Sequence, residues 1–244
     1  MALVVEALSK RFYEKSRGEF MASDNVSFDV RDGEIFGLLG PNGAGKTTTL
    51  RVIATILLPT SGKAILDGID VFAQPDKARI MMGFLSSTTG LYERLTPREI
   101  LQYFGRLCGM GSADLEQRIK ILAATLDFEK YLNARCAGLS QGTKQKVSIA
   151  RAIVHNPKLM ILDEPSTGLD VLATQSMHDF IKDARKEGKA ILLSTHSMDE
   201  AEKLCDRIGI INDGKILAIG SLEELRQKTG KTKLEEIFVS LVRA

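Results

Sequence analysis

The sequence predicts an α/β protein: a parallel-sheet core that cradles phosphate, a β-rich N-terminal third and an inserted helical subdomain. Three observations predict it. A glycine-rich stretch, Gly40-Pro41-Asn42-Gly43-Ala44-Gly45-Lys46-Thr47, lies between a short apolar run and a helical pattern. Strand and helix signals alternate again from Leu159 onward. Between these regions, residues 87–155 carry helical periodicity and no strand signal.

Taken in order, residues 3–8 read as an edge or first strand, followed by the basic and aromatic Lys10-Arg11-Phe12-Tyr13 and a loop around Gly18. Val26, Phe28 and Val30 alternate with polar residues, which marks a half-buried strand. Asp32-Gly33 turns into a buried strand over residues 34–39. Leu50, Ile53, Ala54 and Leu57 then space an amphipathic helix that Pro59 stops. Residues 64–66 and 79–85 read as further strands. Thr96 and Pro97 start a helix with Ile100, Leu101, Phe104 and Leu107 on its apolar face. Leu115, Ile119, Leu122 and Leu126 mark the next helix, and residues 140–155 the third. Strands are expected at residues 159–162, 189–194, 207–211 and 215–219, with helices at 171–187, 198–205, 222–228 and 234–242. The resulting division is a core of residues 1–86 and 156–220, a helical subdomain of 87–155 and a helical extension of 221–244. The stripe Leu234, Ile237, Phe238 and Leu241 is expected to pack on its own domain, with a subunit contact as the alternative.

The glycine-rich stretch fits G-x-x-x-x-G-K-[ST]. Glycines let the backbone curl so that its N–H groups converge on an anion. Lys46 reaches toward β- and γ-phosphates, the Thr47 hydroxyl is placed for Mg²⁺, and Thr48 follows in the helix's first turn. A helix N-terminus behind the loop favours negative charge.

Composition narrows the function. Lys plus Arg is 33 against 31 for Asp plus Glu, a formal charge of +2, too balanced to argue for nucleic acid. No apolar run approaches the ~18 residues that a membrane span requires. The first residues lack a basic segment ahead of an apolar one, so no signal peptide is read there and a cytosolic chain is expected. Cys108, Cys136 and Cys205 have no C-x-x-C spacing and read as buried or free thiols in a reducing compartment.

A second group of polar residues falls at predicted strand ends, where open α/β sheets place their chemistry. Asp163 and Glu164 end one strand and His196 follows another. Asp163 is suited to hold Mg²⁺ opposite Lys46, Glu164 to orient or deprotonate water, and His196 to meet the γ-phosphate. His155 and His178 read as surface residues.

These residues carry a resemblance. Leu159-Met160-Ile161-Leu162-Asp163-Glu164-Pro165 with Ser166-Thr167-Gly168-Leu169-Asp170 resembles the Walker B segment and D-loop of ABC-type ATPases. Leu139-Ser140-Gln141-Gly142-Thr143 resembles their L-S-G-G-Q signature, with Gln141 and Thr143 replacing Gly and Gln. The resemblance implies a P-loop NTPase (RecA-like) core with an antiparallel β subdomain and an inserted α-helical subdomain, the ABC ATPase fold. It implies ATP and Mg²⁺ as cofactors, His196 as the switch histidine, and Phe12 or Tyr13 as the aromatic stacked on adenine. Ser86-Ser87 stands where the family has a Gln that helps hold Mg²⁺, so Ser87, acting through water, or Thr88 is expected there.

The resemblance further implies a head-to-tail homodimer, with each ATP between Lys46 of one copy and Ser140 and Gly142 of the other and Asp170 nearby. A separate transmembrane permease is the implied partner, met by the helices between Ser87 and Leu126 on the cytoplasmic face of the membrane. Residues 83–99 most resemble the ATP-binding subunits of Nat-type sodium exporters. An exporter of another cargo, drug or lipid-like, is the alternative. A non-transport ABC ATPase is disfavoured by the single cassette and near-neutral charge, and a module without turnover by the presence of Glu164 and His196.

Overall fold

The computed structural model describes residues 1–15, 18–86 and 90–243. β1 (Leu3–Glu14) and β2 (Gly18–Val30) form a hairpin whose register pairs Leu3 with Val30 and Phe12 with Phe20. β3 (Ile35–Leu39) leads through the glycine-rich loop into α1 (Lys46–Ile53). β4 (Ser61–Leu66) and β5 (Ile69–Asp70) join the hairpin in an antiparallel sheet of order β2-β1-β4-β5. α2 (Pro75–Met81) and β6 (Met82–Ser86) follow. α3 (Pro97–Leu107), α4 (Ser112–Thr125) and α5 (Gln141–Ile153) come next, before β7 (Leu159–Asp163). The remaining elements are α6 (Val171–Lys186), β8 (Ala190–Thr195), α7 (Met198–Leu204), β9 (Arg207–Asn212), β10 (Lys215–Gly220), α8 (Leu222–Thr229) and α9 (Leu234–Val242).

The second sheet has the order β10-β9-β3-β8-β7-β6, parallel except for the β9–β10 hairpin. β3 and β7 are buried at every position, as strands covered on both faces must be. Period-2 alternation sends their side chains to two cores. Phe36, Leu38, Leu159, Ile161 and Leu192 pack with α1 and the antiparallel sheet. Ile35, Met160, Leu162, Ile191 and Leu193 pack with α3 to α6. A third core joins β9 and β10 to α7, α8 and α9 through Ile208, Ile210, Leu225, Leu234 and Ile237. Ile237 is fully buried and Phe238 and Leu241 pack against the same core, so the C-terminal stripe covers its own domain.

Local chemistry explains the helix starts. Thr96 accepts from the Glu99 N–H while Glu99 accepts from the Thr96 N–H, a capping box ahead of Pro97. Ser140, Asp170 and Ser221 cap α5, α6 and α8, each accepting from a backbone N–H three residues on, and Ser221 forms a second capping box with Glu224.

Several expectations need correction. β1 is an inner strand, flanked by β2 and β4, and it continues past Leu8 to Glu14 because its ladder with β2 continues. α1 ends at Ile53: Thr55 takes a left-handed φ of 59°, so Leu57 packs against the core from a turn. Residues 79–81 belong to α2, which Pro75 starts, and the apolar run Ile80-Met81-Met82 hid the helix-to-strand boundary. Leu107 lies 63% exposed and leaves the apolar face of α3. His178 is not a surface residue, and His155 is half-buried. His178 is buried against Glu200, with Nε2 and Oε1 3.2 Å apart, and His155 Nε2 bonds the Met82 carbonyl. Cys108, Cys136 and Cys205 are free thiols.

Candidate active site

The carboxyl ends of β3, β7 and β8 lie side by side, and the site is assembled there. Gly45 carries a φ of 100°, and a Cβ on it would run into the Ala22 carbonyl oxygen. Glycine is therefore required where the loop passes β2. Its backbone N–H groups precede a helix with no side-chain cap and no acid in its first turn. An anion is the natural partner for that end.

Lys46 is 4% exposed, and its Nζ donates to the carbonyls of Gly40 at 2.7 Å and Pro41 at 3.0 Å. The same Nζ lies 3.6 Å from Glu164 Oε1. Burial pulls the ammonium below the usual lysine range, against the opposing pull of Glu164 and Asp163. Glu164 leaves β7 with a left-handed φ of 50°, and its N–H bonds the Ser194 carbonyl and hydroxyl. That turn aims its carboxylate at the loop. Oε1 meets His196 Nδ1 at 3.2 Å, and Oε2 accepts from the Thr167 hydroxyl at 3.2 Å. Burial pushes the Glu164 carboxyl up, but His196, Lys46 and Thr167 together hold it below the ordinary value.

Asp163 is 3% exposed and accepts from Ser194 at 2.7 Å, Thr47 at 2.9 Å and Ser86 at 3.4 Å. A buried carboxylate ringed by hydroxyls, beside an anion-seeking loop, is a hard-oxygen donor set. It suits Mg²⁺, which takes one or two protein oxygens and completes its shell with water and phosphate. Ser87, Thr88 and Thr89 lie outside the described residues.

A cavity of about 480 Å³ opens over the loop, lined by Phe12, Phe20, Asn42, Lys46, Thr47 and Glu164 among others. Thr48 and Gly43 also face it, while Gly40, Pro41 and Ala44 shape the loop beneath. Tyr13 points away and is 72% exposed. Ser140, Gly142 and Asp170 do not line this cavity; Ser140 and Asp170 cap α5 and α6, and Gly142 borders a separate cavity. Sequence reasoning missed Phe20, Ser194 and Thr167 as site residues, and it read Asp213-Gly214 as the turn between two strands without placing it at the cavity. Phe20 was knowable only through its pairing with Phe12, since nothing local marks it.

The ABC transporter family profile matches residues 23–167. Over 233 residues the chain is 42% identical to the ABC transporter ATP-binding protein NatA of Bacillus subtilis (strain 168), covering 95% of this chain and 94% of that protein. Among solved structures it resembles the ATP-binding subunit of an ABC transporter, with a TM-score of 0.88, 33% identity and coverage of 99% of this chain and 100% of that one. It also resembles the dimeric structure of MJ0796, a bacterial ABC transporter cassette, with a TM-score of 0.81, 26% identity and coverage of 90% and 98%. A phosphate loop facing an acidic pair across the ends of parallel strands, in a chain alike from end to end, leads to one conclusion: this is an ATPase of the ABC family, the ATP-binding subunit of an ABC transporter.

Proposed function

We propose that the chain hydrolyses Mg·ATP between two head-to-tail copies and thereby powers sodium export through a separate permease at the cytoplasmic face of the membrane. The observation that carries the catalytic part is the placement of Glu164 Oε1 between Lys46 Nζ and His196 Nδ1. The sodium part is carried by the 42% identity, sustained over 95% of the chain, to a NatA subunit.

Lys46 leaves the carbonyls of Gly40 and Pro41 and its contact with Glu164 to neutralise β- and γ-phosphate oxygens. Glu164 then loses the Lys46 charge, one of the contacts that hold its pKa down, and becomes a stronger base toward an attacking water. His196 keeps that carboxylate oriented and is itself 48% exposed, free to reach the γ-phosphate. Thr47 and Asp163 would hold Mg²⁺, which supplies charge neutralisation on the phosphates. Phe12, at the cavity wall beside Phe20, is the stacking surface for adenine. Ser140 and Gly142, at the start of α5, and Asp170, at the start of α6, serve the second copy's nucleotide, which is why they stand apart from Lys46 in one chain.

Residues 87–155 act as the helical subdomain, and its exposed Tyr92, Tyr103 and Leu107 face the permease. Among the described residues no helix is long and apolar enough to cross a membrane, so the path for cargo belongs to that partner. The test is ATP-driven ²²Na⁺ uptake into everted vesicles holding this chain and its permease partner. Uptake lost with Glu164→Gln supports the reading. Permease-stimulated ATP turnover without sodium movement overturns the cargo and leaves the ATPase standing.

A further inference from the structure

A second cavity, about 440 Å³, lies between α4, α5 and α6, away from the phosphate loop. Leu122, Ile149, Ile153, Met160, Met177 and Phe180 give it apolar walls. Its volume falls in the range of small-molecule sites. Arg118 of α4 and Lys189, just before β8, form its polar end. Among the described residues, Arg118 Nε is the one buried side-chain nitrogen or oxygen without a hydrogen-bond partner.

The lining as a whole carries Arg118, Lys146 and Lys189 against Asp127, Asp179, Asp183 and Glu187, but at the Arg118 end Arg118 and Lys189 disfavour each other's charge. Burial lowers the pKa values of Arg118, Lys189 and His155, and repulsion from Arg118 lowers the latter two further. Glu187 is the acid whose charge acts on both Arg118 and Lys189. The other acids at the cavity are engaged elsewhere: Asp127 with Lys146, Asp183 with Lys186, and Asp179 with Gln175. A buried donor left without an acceptor is destabilising, so an anion arriving here would satisfy a group the protein leaves open.

We propose that this cavity binds a small organic anion with an apolar body, its acid group on Arg118 and its body against Ile149, Met160 and Phe180. Gly142 and Leu169 border the same space. They belong to the signature and D-loop segments, so an occupant would resist movement of α5 against α6 and slow the ATPase. The binding claim stands independently of the transport reading.

The test uses 8-anilinonaphthalene-1-sulfonate and its uncharged counterpart N-phenyl-1-naphthylamine, titrated by fluorescence into the full chain. The sulfonate is expected to bind one per chain, at least tenfold tighter than the amine. Arg118→Met should erase that preference, and Lys46→Ala should leave it intact. Ser176→Phe, at the exposed rim of the cavity, should block both probes, and saturating sulfonate should then no longer slow ATP turnover. Should Arg118→Met fail to fold, Ser176→Phe decides the matter alone. Equal affinity for the two probes, sulfonate binding unchanged in Arg118→Met or Ser176→Phe, or its loss in Lys46→Ala would overturn the proposal.

Discussion

Ser166 Oγ donates to Glu200 Oε1 at 2.5 Å. This bond joins the segment just after Glu164 to α7, which follows His196, so the two groups that face Lys46 are braced against each other from behind. His178 Nε2 lies 3.2 Å from the same carboxylate oxygen and 3.4 Å from Ser166 Oγ. Glu200→Ala would take the shared acceptor from half-buried Ser166 and buried His178, at a cost of about 1–3 kcal/mol. The expected kinetic result is a several-fold fall in kcat with KM for ATP near the native value, partly restored in Glu200→Gln. A KM rise with unchanged kcat would show that the bond does not brace Glu164.

Glu164 itself is the sharper test. Glu164→Gln keeps a neutral group beside Lys46 and His196 but loses the base. Turnover should fall by about 10²–10⁴, ATP affinity should persist, and gel filtration with ATP should show a trapped dimer. Native-rate hydrolysis by this variant would remove Glu164 from the chemistry.

His155 predicts a pH dependence of stability. Burial lowers its pKa below the ordinary 6.5. The unfolded chain therefore binds a proton in a pH range where the folded one does not, and folding stability falls as pH drops through that window. It is fully present above about 6.5. Urea unfolding at pH 7.5 and pH 5.5 should show a larger loss for the native chain than for His155→Gln, which keeps a donor for the Met82 carbonyl. Equal losses would contradict the assignment.

Ile237 of α9 is fully buried on the core of β9 and β10. Ile237→Ala should destabilise the chain by about 2–5 kcal/mol, read from the urea midpoint. Loss of self-association with unchanged stability would instead make α9 a subunit contact.

Tyr103 and Leu107, 54% and 63% exposed on α3, should matter only when the permease is present. Replacing both with Glu is expected to leave the isolated subunit's ATP turnover unchanged and to abolish its stimulation by permease vesicles. Undiminished stimulation would place the contact elsewhere.

Much of this protein was decided along the chain. The phosphate loop, its flanking β3 and α1, the caps at Thr96 and Ser140, and the acidic pair after Leu162 all rest on neighbours within a few residues. Glycine's freedom, helix capping and side-chain periodicity act at that range, so the sequence alone determines them. What it could not determine was how far β1 runs, where α2 yields to β6, and what surrounds His155 and His178. A strand's length is set by its partner's ladder, and a histidine's burial by elements packed from elsewhere. Tertiary structure alone placed Ser194 on Asp163 and Phe20 beside Phe12, and it alone left Arg118 Nε without an acceptor. Each depends on groups brought together by sheet order and helix packing, and no spacing along the chain encodes a contact that only closing the fold creates.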